Sequence, residues 1–174
     1  FKGVNKKSEF TDGMPPGSVV TMNKKSAYVT AEIFMDWLEN HFSPRKPAGK
    51  TLIILDGHLS HMNSYEMLQF AAENNIVLLC LPSHTTHYLQ PLDRSFFKPL
   101  KSNFYKACGS WMVSNENRKL NRLQFGKLLC EAWSRAATNG IEAAGFRVCR
   151  IFQLTGILCI SYVRKFSILI LYIN

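Results

Sequence analysis

The stretch Thr51-Leu-Ile-Ile-Leu-Asp56, followed by Gly57-His58-Leu59-Ser60-His61, decides how this chain is built. A β-branched and leucine run that ends in a carboxylate is the pattern of a buried central strand delivering an acid to the edge of a sheet. The run is short and bounded by Lys50 and Gly57, which favours strand over helix. A second apolar run, Ile76-Val-Leu-Leu-Cys-Leu81, leads into a loop from Pro82 to Pro91 and then to Asp93 within Leu89-Gln-Pro-Leu-Asp-Arg94. If the two runs are neighbouring strands, both carboxylates reach one end of one sheet. Two such carboxylates can hold a metal ion.

Between the runs, Ser64 opens a helix that extends through Asn74, with Met67, Leu68, Phe70 and Ala71 as its buried side. Asn74-Asn75 turns it into the second strand. Strand, helix, strand is a βαβ unit, whose right-handed crossover makes the strands parallel. Ligands of open α/β sheets sit beyond the carboxyl ends of the strands, and Asp56 is at such an end.

Upstream, residues 1 to 18 are polar and turn-rich, with Asp12-Gly13 and Pro15-Pro16-Gly17 as breakers, and residues 18 to 23 read as a weak strand. Thr30 caps a helix with Glu32 in its first turn and apolar positions at Ile33, Phe34, Trp37, Leu38 and Phe42. Ser43-Pro44-Arg-Lys-Pro47 ends it in a basic loop. Downstream, Phe97, Leu100, Phe104, Cys108 and Trp111 step by helical spacing, with Lys98, Lys101 and Lys106 off the stripe. Pro99 either occupies the first turn of this helix or kinks one that begins near Asp93. A last helix over Leu123 to Thr138 buries Phe125, Leu128, Leu129, Ala132 and Trp133, with Asn139-Gly140 as its stop.

At 174 residues and 47% apolar content the chain fits one α/β domain with a real core, which excludes a disordered chain. Its formal charge is +9, and the excess is concentrated between Arg94 and Arg150, where eleven Lys and Arg face three Glu. That concentration suits a phosphate-backbone partner, and it equally suits a solvated basic helical face. The five cysteines, at 80, 108, 130, 149 and 159, form no CxxC pair, so they read as reduced cytosolic or nuclear thiols. The first residues, Phe-Lys-Gly-Val-Asn-Lys-Lys, lack the apolar stretch of a signal peptide, and we expect the chain to be part of something longer.

Taken together, Asp56-Gly-His-Leu-Ser-His61, Leu81-Pro-Ser-His-Thr-Thr-His87, Leu89-Gln-Pro-Leu-Asp93 and Phe97-Lys-Pro-Leu-Lys101 resemble, in order and spacing, a known family. It is the DDE superfamily endonuclease domain of pogo, Tigger and jerky-like transposases, and the resemblance covers about residues 20 to 147. It implies an RNase H-like fold in which three acids bind two divalent ions, Mg²⁺ or Mn²⁺, and cut or join DNA by phosphoryl transfer. Two such ions about 3.5 to 4 Å apart stabilise the attacking and leaving oxygens together. Matched residue by residue, Asp56 corresponds to the second acid and Asp93 to the third. The family's first acid lies on an early strand that this chain starts after. Glu9, Asp12 and Asp36 are not expected to replace it, since none follows a strand.

The resemblance further implies DNA as partner and a nuclear location, and it allows a homodimer for the intact protein; no membrane partner is expected. The expected division is a partial endonuclease domain over 1 to 147 and an apolar tail over 148 to 174. With its first strands missing, the sheet is expected to expose an unpaired edge and to fold marginally, and the chain to be inactive alone. The alternative is a domesticated or relic protein that only binds DNA, through Lys98, Lys101, Lys106, Arg118, Lys119 and Arg122. His58 and His61 could orient the acids or contact phosphate, whereas His84 and His87 read as turn-forming groups; the repeated spacing also leaves a zinc site open. The tail reads as a non-family addition, with extra strands or a membrane-associated end as the alternatives. Arg164 and Lys165 interrupt what a span of about 20 apolar residues would need.

Overall fold

The computed structural model describes residues 1–55, 64–82, 84–116, 118–150, 158–159 and 169–173. Strand β1 (Lys50–Leu55) and strand β2 (Ile76–Cys80) are joined through helix α1's successor in the chain, α2 (Tyr65–Glu73), while α1 itself (Ala31–Trp37) precedes β1. The strands are parallel, paired from Thr51 with Ile76 to Leu55 with Cys80. The βαβ unit is therefore present as expected. Asn75 adopts the left-handed conformation, φ 57°, which lets the chain reverse from α2 into β2 within two residues.

Because side chains alternate along a strand, β1 contributes to two cores. Ile53 and Leu55 pack with Val29, Phe34, Trp37, Leu38, Phe42, Met67, Ala71 and Ile76. Ile54 packs on the other face with Leu81, Leu92, Phe96, Leu100, Ala132 and Ala136. Thr30 caps α1 as expected, its hydroxyl accepting from Ile33 N, and the apolar stripe continues into the π-helical turn Leu38–Phe42. Leu68 departs from the expected buried side of α2: it is 55% exposed, because Met67 and Ala71 already fill the space against β1.

After β2 come α3 (Thr86–Leu89), a π-helical turn at Leu92–Phe96, α4 (Phe97–Ser114) and α5 (Arg122–Ala136). Pro99 is the third residue of α4, and because the π-helical turn runs into α4 without a break it lies inside a helical run that begins at Pro91. Helices α4 and α5 meet through Phe104 and Phe125, ring centroids 5.6 Å apart. Asn139-Gly140 is not a stop. It opens α6 (Asn139–Val148), whose first turn is capped by Thr138 accepting from Ile141 N. Residues 18 to 22 are not a strand either; Val20 is buried, and the local pairing is a single parallel bridge between Lys2 and Asn23.

Strands β3 (Leu158–Cys159) and β4 (Leu169–Ile173) come from the apolar tail and complete a sheet of order β2-β1-β4-β3. β4 runs antiparallel to β1, from Lys50 opposite Ile173 to Ile54 opposite Leu169. β4 thus covers the edge of β1 opposite β2, and β2 and β3 are the outer strands of the described sheet. No helix of the described residues is long and apolar enough to cross a membrane.

Deleting residues 169–174 is expected to uncover the β1 edge and cause concentration-dependent self-association in sedimentation velocity, since an unpaired edge templates further pairing. A shortened chain that stays monomeric with an unchanged thermal midpoint would contradict the strand order.

Candidate functional site

Leu81 N donates to Leu55 O at 2.9 Å, so the β1–β2 ladder extends to the last residue of β1 and the chain leaves both strands at the same end of the sheet. Asp56, Gly57, His58 and His61 follow directly but lie outside the described residues. Asp93 returns to this end by a different route. After a turn closed by Thr85 Oγ1 donating to Pro82 O at 2.7 Å, α3 leads to the fully buried Gln90 and then into the π-helical turn.

That turn explains why an acid is presented between two large apolar side chains. Leu92 and Phe96 are 2% and 0% exposed and pack with Ile54 and Leu81, the residues at the carboxyl ends of the two strands. Phe96 also meets the edge of Trp133 of α5, centroids 5.2 Å apart. Asp93 and Arg94 lie on the outward side of the same turn and are exposed. Phe97 N closes the wide turn on Leu92 O, and Ser95 Oγ donates to Pro91 O at 3.1 Å. Wide turns of this kind often occur at functional positions.

The last turn of α6 lies beside Asp93. Cys149, whose N–H donates to Gly145 O at 3.1 Å, is buried. Burial raises its thiol pKa; the nearby Arg94 charge lowers it and Asp93 raises it. Burial likewise raises that of Cys108.

An exposed carboxylate on a firmly seated turn offers the hard oxygen that Mg²⁺ or Mn²⁺ prefers, so Asp93 fits such an ion in kind. Among the described residues no three His, Cys, Asp or Glu side chains cluster as a metal site. Glu9 accepts from its neighbour Ser8, Asp12 stands in the turn that follows, and Asp36 of α1 accepts from Asn40 in the π-helical turn after it. None of the three joins Asp93 in a metal cluster.

The basic residues divide by place. Lys98, Lys101 and Lys106 are exposed on α4, on the side of the helix away from Leu100 and Ala107, which are buried. Arg118 and Lys119 are exposed in the connection to α5. Arg122 is exposed too, but its guanidinium donates to Lys2 O at 2.8 Å and so ties the leader to α5. Tyr105 is 71% exposed on the lysine side of α4, a residue the reading of the apolar stripe passed over. Its signal in the sequence was its place four residues after Lys101, off that stripe.

Residues 5–149 match the family model described as DDE superfamily endonuclease. The chain belongs to that superfamily. The DDE domain is 25% identical over 151 residues to a mouse protein, "Pogo transposable element with KRAB domain", a match covering 80% of this chain and 24% of that protein. It is 33% identical over 125 residues to "MFS-type transporter clz9" of Cochliobolus lunatus, covering 70% of this chain and 13% of that protein. The chain thus spans a quarter or less of each of these curated relatives. No solved structure matches it.

Within the DDE domain the histidines of the second motif have structural places. His84 takes the left-handed conformation, φ 63°, in the turn after β2, and His87 sits in α3 rather than in the expected loop. Both are exposed. The two therefore do not share one helix, and among the described residues no group of three His, Cys, Asp or Glu includes them.

Arg122→Ala is expected to free the leader, accelerating limited proteolysis within residues 2–23 severalfold while leaving the α4–α5 core protected. Unchanged cleavage would show that the bond to Lys2 does not hold the leader.

Proposed function

We propose that this chain is the catalytic core, in part or whole, of a transposase-derived DDE endonuclease with an RNase H-like sheet. Asp56 and Asp93 act as its second and third metal-binding acids. The observation that carries this reading is the seating of the Asp93 turn, through Leu92 and Phe96, on the end of β1 from which the chain runs into Asp56. Endonucleases of this superfamily work with divalent ions, and two carboxylates with hard oxygens suit Mg²⁺ or Mn²⁺. Bound there, such ions would supply the stabilisation of charge on the attacking and leaving phosphate oxygens. The chain's own contribution is to hold two carboxylates on firmly packed elements, and through His58 and His61 to orient them or to contact phosphate. Residues 1 to 147 form the endonuclease unit and 148 to 174 an added tail.

DNA would lie along the basic surface of Lys98, Lys101, Lys106, Arg118, Lys119 and Arg122, which supports a nuclear protein. Exposed lysines on the side of α4 opposite its buried residues suit backbone phosphates, with Tyr105 available for stacking. Glu9, Asp12 and Asp36 do not complete a three-acid set with Asp93. The 174 residues alone are expected not to cut DNA. A longer chain that carries the family's first acid is expected to nick supercoiled plasmid in Mn²⁺, with Asp56→Asn and Asp93→Asn each reducing nicking to background. Nicking retained by either variant would remove that residue from the acid set.

A second reading, a DNA-binding protein without catalysis, is favoured by the same basic surface. It predicts DNA binding by the 174-residue chain whose logarithmic salt slope falls by about 1 with each of Lys98→Ala and Lys101→Ala. Binding that ignores salt, or no binding, would exclude it.

A further inference from the structure

We propose that Gly145 is a positioning residue for Asp93, keeping α6 so close to the Leu92–Phe96 turn that the direction of the carboxylate is fixed by backbone packing. The inference rests on the reading of Asp93 as a metal-binding acid.

Gly145 lies in the interior of α6, with no left-handed backbone to explain a glycine there. In such a place glycine costs about 0.5–1 kcal/mol relative to alanine, so its absent side chain is the reason to look for. A Cβ built on Gly145 would stand 2.5 Å from Ser95 Oγ, 2.6 Å from Pro91 O and 3.1 Å from Pro91 C. Two of these atoms are backbone and cannot swing aside. Pro91 O is further held as the acceptor of Ser95 Oγ, the hydrogen bond that spans Asp93 from either side. Phe96, the residue after Ser95, is locked in the core against Trp133. The turn has therefore no direction in which to retreat from a methyl group on α6 except by shifting Pro91 and the residues that follow it. Asp93 is two residues from Pro91.

Gly126 provides a matched comparison. It too faces a backbone oxygen at closer than van der Waals distance, that of Asp12, but this contact holds the leader against α5 and does not touch the π-helical turn.

The test is Mn²⁺ binding by the 174-residue chain, measured by water proton relaxation, together with amide hydrogen exchange of residues 92–97. Gly145→Ala is expected to raise the Mn²⁺ dissociation constant about tenfold, the scale on which residues that orient metal ligands act, and to speed exchange at Arg94 and Phe97. Gly126→Ala is expected to lower the thermal midpoint yet leave Mn²⁺ affinity unchanged. Ser95→Thr, which adds one methyl to the other side of the same contact, is expected to weaken Mn²⁺ severalfold and serves if Gly145→Ala fails to fold. Wild-type affinity in folded Gly145→Ala or Ser95→Thr, or equal weakening by Gly126→Ala, would overturn the proposal. Asp93→Asn separates the two claims: unchanged affinity there removes the acid assignment itself, whereas loss there with none in Gly145→Ala removes only the positioning role.

Discussion

The burial of β1 on both faces is the constraint on which the rest of this fold depends. Ile53 and Leu55 are committed to the core built by α1 and α2, and Ile54 to the core built by the Asp93 turn, α4 and α5. Each fully buried side chain of this size stabilises by about 1.5–3 kcal/mol, so β1 cannot slip by one residue without exchanging both sets at once. Its register with β2 then determines where both chains leave the sheet. The end of the sheet at which the Asp93 turn is seated follows from that register.

The same strand has its remaining edge covered by β4, which arrives antiparallel from the apolar tail. A sheet built by crossover helices on a parallel pair is thus closed by a strand that comes from beyond the family match at residue 149. The pairing gives the tail a physical role, satisfying the backbone groups of Lys50–Ile54.

Much of this was legible in the sequence because local signals and tertiary packing agree. The Thr51–Leu55 run, the cap at Thr30 and the stripe Phe97–Trp111 all became the elements they suggest. What was not legible depends on partners distant in the chain. Asn139-Gly140 looks like a helix stop, yet Thr138 caps a new helix there, because α6 has a surface to dock on at Pro91 and Ser95. Leu68 fits the helical period of α2 but not the width of the strand beneath it. The antiparallel β4 could not be told from any other apolar run, since periodicity does not name the neighbour. For the site, the two apolar runs gave the parallel strand pair on whose end the Asp93 turn packs, but not the wide turn that exposes Asp93 between Leu92 and Phe96, nor the glycine on α6 behind that turn.

The central claim is the proposal that Asp93, with Asp56, holds divalent ions. Mn²⁺ added to ¹⁵N-labelled chain tests it directly, because the bound ion broadens the amide signals around it. The account predicts that the Leu55, Leu81, Asp93 and Arg94 signals are lost first, with the far end of α4, residues 110–114, unaffected. Broadening centred on His84 and His87, or spread evenly over the surface, would contradict it.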